Sequence, residues 1–132
     1  MAENKIDRYL IDSMFSYREI GPNMWLVDDS ERGLEGLAII YSEPLVIFRL
    51  AIMDAPQENR LELFTKLLEL NANDVIHGAY ALENGKIILI DTLEYDFLDY
   101  SEFRATLDAF SLAITQHYPV LSGYRTGNKE RG

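Results

Sequence analysis

The feature that most limits what this chain can fold into is the dipeptide Asn84-Gly85, set between the apolar runs 77–83 and 86–93. A two-residue hairpin loop needs positive φ at both central positions, which Asn-Gly supplies as a type I′ turn. The loop fixes a register. Glu83 falls opposite Lys86, Ala81 opposite Ile88, Ala79 opposite Ile90 and His77 opposite Thr92 on one face; the other carries Leu82–Ile87, Tyr80–Leu89 and Gly78–Asp91. Both faces are apolar in the middle, so one is expected to meet helices and the other a second protomer or a client. The hairpin thus supplies one antiparallel pair of strands with helices expected on one side of it.

The run before the hairpin predicts a helix over 57–71, with Asp54, Pro56 and Gln57 forming a capping-box start. At 100° per residue, Leu61, Leu63, Phe64, Leu67, Leu68 and Leu70 occupy about half the circumference, whereas a helix lying on one sheet needs an apolar stripe only slightly wider than about 100°. The surplus implies burial on two sides, against the core and against something beyond it.

Taken in order, Ile6, Tyr9, Leu10 and Met14 predict an amphipathic first helix over 3–16. Gly21-Pro22-Asn23 marks a turn, and strands follow over 23–28, 34–41 and 45–53. Trp25 is expected in the core with its indole N–H on a carbonyl, the alternative being a rim anchor for a partner peptide. The third strand is apolar on both pleat faces except at Arg49, whose two readings are an ion pair with a neighbouring strand's carboxylate and a ligand-facing charge. Residues 91–102 carry Asp91, Glu94, Asp96, Asp99 and Glu102 among aromatics. They read as a connector pinned by Tyr95, Phe97 and Tyr100, the alternative being a divalent-cation site. Ser101 is expected to cap a last helix whose stripe is Phe103, Leu107, Phe110, Ile114, Tyr118 and Leu121, with Pro119 ending or kinking it. Residues 1–125 then form one domain, and 126–132 read as a flexible tail.

Composition narrows function more than it names it. Among 132 residues, 12 Lys and Arg stand against 22 Asp and Glu, and the net charge of −10 opposes phosphate backbones and anionic lipid. Nucleic acid and membranes are therefore unexpected partners. There is no Cys, the two His stand in no metal-binding frame, and no phosphate loop or nucleophile elbow occurs, so neither a catalytic residue, a metal nor a cofactor is expected. No apolar h-region opens the sequence and no membrane-length apolar run occurs, which gives the expectation of a cytoplasmic protein.

The order helix, three strands, helix, hairpin, helix, with Leu67-Leu68-Glu69-Leu70-Asn71-Ala72 leading into His77-Gly78-Ala79-Tyr80-Ala81-Leu82 and the Asn84-Gly85 turn, resembles the YbjN family and the structurally similar class I type III secretion chaperones. The likeness spans residues 3–125. It implies an α+β fold of pattern α-β-β-β-α-β-β-α and a non-enzymatic homodimer that holds an extended segment of a client protein. By position in that pattern, Leu61, Leu63, Phe64, Leu67, Leu68 and Leu70 with Tyr80 and Leu89 would form the dimer contact. Ile6, Leu10, Met14, Trp25, Val27, Leu37 and Ile39 would meet the client. Two rivals stand beside this: a regulator that senses a small ligand between sheet and helix through Arg49, and an enzyme using the carboxylates of 91–99.

Overall fold

Alternating apolar residues build a six-stranded antiparallel sheet whose inner face is covered by three helices. The computed structural model describes residues 4–130, with side chains through residue 124. The elements are α1 (Lys5–Ser13), β1 (Tyr17–Gly21), β2 (Met24–Asp29), β3 (Leu34–Ser42), β4 (Leu45–Asp54), α2 (Arg60–Asn73), β5 (Ala79–Glu83), β6 (Lys86–Glu94) and α3 (Tyr100–Glu130), and the strand order is β1-β2-β3-β4-β6-β5. The α+β class and the antiparallel sheet are as the sequence indicates. The pattern gains one strand.

That strand is β1, which pairs with β2 through Tyr17–Val27, Arg18–Leu26 and Glu19–Trp25. Arg18, Glu19 and Ile20 are all exposed, so the segment lacks the apolar alternation that marks a half-buried strand. As an edge, it is blunted by charge and by a register shift between Glu19 and Gly21.

The hairpin matches its expected register from Glu83–Lys86 to Ala79–Ile90, with Asn84 at φ 51° and Gly85 at φ 77°. Pairing stops at Ala79, short of the expected Gly78–Asp91 and His77–Thr92 pairs, because Gly78 turns to φ 91°, where a Cβ would lie 2.8 Å from the Ile90 carbonyl oxygen. Only glycine fits there.

One face of the sheet (Trp25, Val27, Leu37, Ile39, Val46, Phe48, Leu50, Ile87 and Leu89) joins Ile6 and Leu10 of α1, Leu63, Leu67 and Leu70 of α2, and Phe103, Leu107, Phe110 and Leu121 of α3 in a single core. Trp25 is the largest fully buried side chain; its Nε1 donates to the Asp7 carboxylate of α1 at 2.7 Å, a side-chain partner and not a backbone carbonyl. The opposite face, free of helices, presents half-buried Leu26, Ala38, Ile40, Ile47 and Ile90.

Several boundaries differ from expectation for local reasons. Met14 adopts a left-handed conformation that stops α1 at Ser13, and α2 begins at Arg60 behind a left-handed Asn59. Asp54 does not cap α2, because it ends β4 and accepts from Lys86 Nζ at 2.7 Å. Asp99 caps α3 in place of Ser101, its Oδ1 accepting from the Glu102 amide at 2.8 Å. Pro119 lies inside α3, whose backbone is helical through Glu130. The expected tail therefore starts within a helix, and residues 131–132 lie outside the described ones.

Candidate partner-binding surface

The apolar arc of α2 divides into two stripes. Leu63, Leu67 and Leu70 point into the core and are at most 6% exposed, while Leu61 is 83% and Leu68 68% exposed, with half-buried Phe64 between them. Spacing explains the split: 61, 64 and 68 share one side of a 3.6-residue helix, and 63, 67 and 70 share another. The surplus read from the sequence is real as geometry, since the subunit leaves part of it uncovered.

Beside the outer stripe runs β5, the edge strand of the sheet. Phe64, Leu67, Leu68, Tyr80, Ala81, Leu82 and Ile87 line an apolar groove of about 150 Å³ between α2 and the hairpin. Leu82 is 54% exposed and continues the patch outward. Tyr80 forms the groove's floor, and its hydroxyl is hydrogen-bonded to Nδ1 of buried His117 on α3 at 2.8 Å. Burial pushes the Tyr80 phenol well above its ordinary value, so it stays protonated at any physiological pH. His117 Nε2 lies 3.6 Å from the Asp74 carboxylate at the end of α2. Asn71 of α2 holds the Tyr80 peptide on β5: its Oδ1 accepts from the Tyr80 amide at 2.7 Å and its Nδ2 donates to the Tyr80 carbonyl at 3.1 Å.

Of the residues expected at a dimer contact, Leu61, Phe64, Leu67, Leu68 and Tyr80 come together at or beside this groove. Leu63, Leu70 and Leu89 do not, because they are consumed by the subunit's own core. The expected client residues need a larger correction. Ile6, Leu10, Trp25, Val27, Leu37 and Ile39 are at most 1% exposed, since α1 and the helix-facing pleat of β2 and β3 close on each other; only Met14, at 79%, is free. Leu82, Ile87 and Asn71 were not singled out. Leu82 and Ile87 share the Tyr80 face in the hairpin register, which could have revealed them; the role of Asn71 depends on tertiary contact.

Arg49 lies on the helix-free face, its Nε donating to Glu83 Oε1 at 2.8 Å. Arg49 pairs in register with Ile90 and Glu83 with Lys86, so the ion pair crosses β6 over Ile88, which is 2% exposed. The carboxylate partner is the expected kind. A separate cavity of about 300 Å³ lies between sheet and α3, lined by Gly33, Glu35, Leu50, Ala51, Ile52, Ile114, Tyr118 and Leu121, and Arg49 is not part of it. The 91–102 connector is held by Tyr95, which stacks on Tyr41 at 4.2 Å and lies under Lys5 Nζ at 4.4 Å, and by buried Leu98; Phe97 points outward. Among the described residues no three His, Asp or Glu side chains gather to hold a metal ion, and no helix is long and apolar enough to cross a membrane.

A six-stranded antiparallel sheet backed by three helices is an α+β architecture that matches the type III secretion chaperone-like fold. The chain belongs to the CesT_Tir_1 family, whose family model matches residues 2–126. Among solved structures it is similar to YbjN from E. coli, described there as a candidate transcription regulator, with 15% identity and a TM-score of 0.65 over 92% of this chain and 94% of that one. It is also similar to a chain of the heterodimeric ExoU–SpcU complex from the type III secretion system of Pseudomonas aeruginosa, with 15% identity and a TM-score of 0.61 over 86% of this chain and 95% of that one. No curated protein sequence matches the chain.

Proposed function

We propose that this protein is a cytoplasmic, non-enzymatic chaperone-like or adaptor protein that works as a homodimer and holds an extended segment of a partner protein. The observation that carries this reading is the outer stripe Leu61–Phe64–Leu68, left open by the subunit and continuous with Leu82 across the groove. Burying such side chains contributes roughly 1.5–3 kcal/mol each, which a second copy gains twice under two-fold symmetry. Membership of a chaperone-like family and likeness to a chain from a heterodimeric secretion complex support the protein partner. With the residues first read as client contacts taken up by the core, the helix-free sheet face offers the remaining apolar surface for an extended segment, through Leu26, Ala38, Ile40 and Ile47. Light scattering at tens of micromolar is expected to give twice the subunit mass, and a partner retained from the native host is expected to be lost with Ile47→Glu. A strict monomer that retains no partner would overturn the reading.

A second reading, a regulator holding a small ligand between sheet and helix, draws on the 300 Å³ cavity, which reaches the lower end of ligand-pocket sizes. Its charge would come from Glu35 at the lining and not from Arg49, so it favours a cationic ligand over the anion first associated with Arg49.

A further inference from the structure

In a two-residue hairpin the pairs alternate between those that exchange hydrogen bonds and those whose N–H and C=O point away from the partner strand. Glu83–Lys86 closes the Asn84-Gly85 turn, so Ala81 and Ala79 turn their polar groups toward β6, while Leu82 and Tyr80 turn theirs outward along the open edge. An incoming strand would have to pair with Tyr80 and Leu82 in succession. At Tyr80 both places are taken, because the Asn71 carboxamide satisfies the amide and the carbonyl together, as a neighbouring strand's peptide group would. What remains at Leu82 is too short for a ladder, and Gly78 turns away at the other end.

The outer stripe of α2, by contrast, fits a helix. Leu61, Phe64 and Leu68 are spaced three and four residues apart, the spacing that lets side chains of one helix interlock with those of another, and such a seam is self-complementary about a two-fold axis. We propose that Asn71 decides how a second copy docks: it closes the β5 edge to strand addition, so that the second copy meets the α2–β5 groove with the side chains of its own α2 and does not continue the sheet. This rests on the self-association reading above, and it assigns Asn71 a positioning role.

Amide exchange in dilute and concentrated samples separates the two. In the parent, Tyr80 is protected at every concentration and Leu82 exchanges at a rate that concentration does not change. In Asn71→Ala, Tyr80 loses protection when dilute, and the Tyr80 and Leu82 amides both slow by roughly two- to tenfold as concentration rises, since a freed edge pairs with another chain. Asn71→Leu keeps a side chain of similar size and removes both hydrogen bonds to the Tyr80 peptide, so it is expected to behave in the same direction and serves where the alanine variant does not fold. Concentration-independent exchange in the folded variants, or a Leu82 amide that gains protection in the associated parent, would overturn the proposal. A parent that stays monomeric by light scattering would sink the self-association reading alone, because the variants' amides still report whether Asn71 guards the edge.

Discussion

Replacing Leu68 by Ser separates docking from folding. In the subunit Leu68 is 68% exposed, so its removal takes little from the core. Against a second copy, the exposed share of a side chain worth roughly 1.5–3 kcal/mol when fully buried comes to about 1–2 kcal/mol. A two-fold contact contains the residue twice, which doubles the loss to roughly 2–4 kcal/mol and raises the dissociation constant by roughly 30- to 1000-fold. Sedimentation over a concentration series measures the constant, and chemical denaturation of the dissociated subunit measures its stability. The expected result is a subunit as stable as the parent that associates far less. An unchanged dissociation constant would refute the assignment of Leu68 to the contact, and a collapse in subunit stability would refute the division of α2 into an inner and an outer stripe.

Leu63→Ala is the converse, since that side chain is fully buried: the subunit is expected to lose about 2–5 kcal/mol, read as a lower denaturation midpoint. Gly78→Ala places a Cβ against the Ile90 carbonyl at a positive φ and is expected to cost at least about 1–3 kcal/mol, with the loss visible in thermal melts. Asp91 is a pH probe, because burial pushes its carboxyl up, against smaller opposing effects of the Thr92 amide and His77, while its Oδ2 has no hydrogen-bond partner. A raised folded-state value means the folded chain holds this proton to higher pH than the unfolded chain, so the stability it contributes is present below the unfolded value and lost as pH rises through the folded one. Asp91→Asn should therefore melt higher than the parent at neutral pH, and the advantage should vanish in strongly acidic buffer.

What could be read in advance follows from how local each cause is. The hairpin register was legible because Asn84-Gly85 admits one turn geometry, and the over-wide apolar arc of α2 because helical periodicity is a property of the helix alone; which of its leucines the core takes depends on how the helix is rolled onto the sheet. The cap at Asp54 was misread because its partner is Lys86, 32 residues away, and a cap residue that finds an ion pair on a neighbouring strand stays in its strand. Strand β1 was missed because an edge strand protected by Arg18 and Glu19 hides the alternation that reveals strands. The reading of Trp25, Val27, Leu37 and Ile39 as client contacts failed for a different reason. Alternation shows that one pleat face is apolar, but not that α1 lies over it, and the Trp25–Asp7 bond that joins the two is a long-range contact. Arg49 fared better, because an arginine amid apolar neighbours needs a carboxylate, and Glu83 supplies it from the far side of β6.

Methyl spectra of leucine-labelled protein, recorded from dilute to concentrated, test the docking surface most directly. Leu61, Leu68 and Leu82 are expected to shift with concentration, while Leu63, Leu70 and Leu89, already enclosed by the subunit, stay where they are. Concentration-independent signals from the first three, or shifts confined to leucines elsewhere, would contradict it.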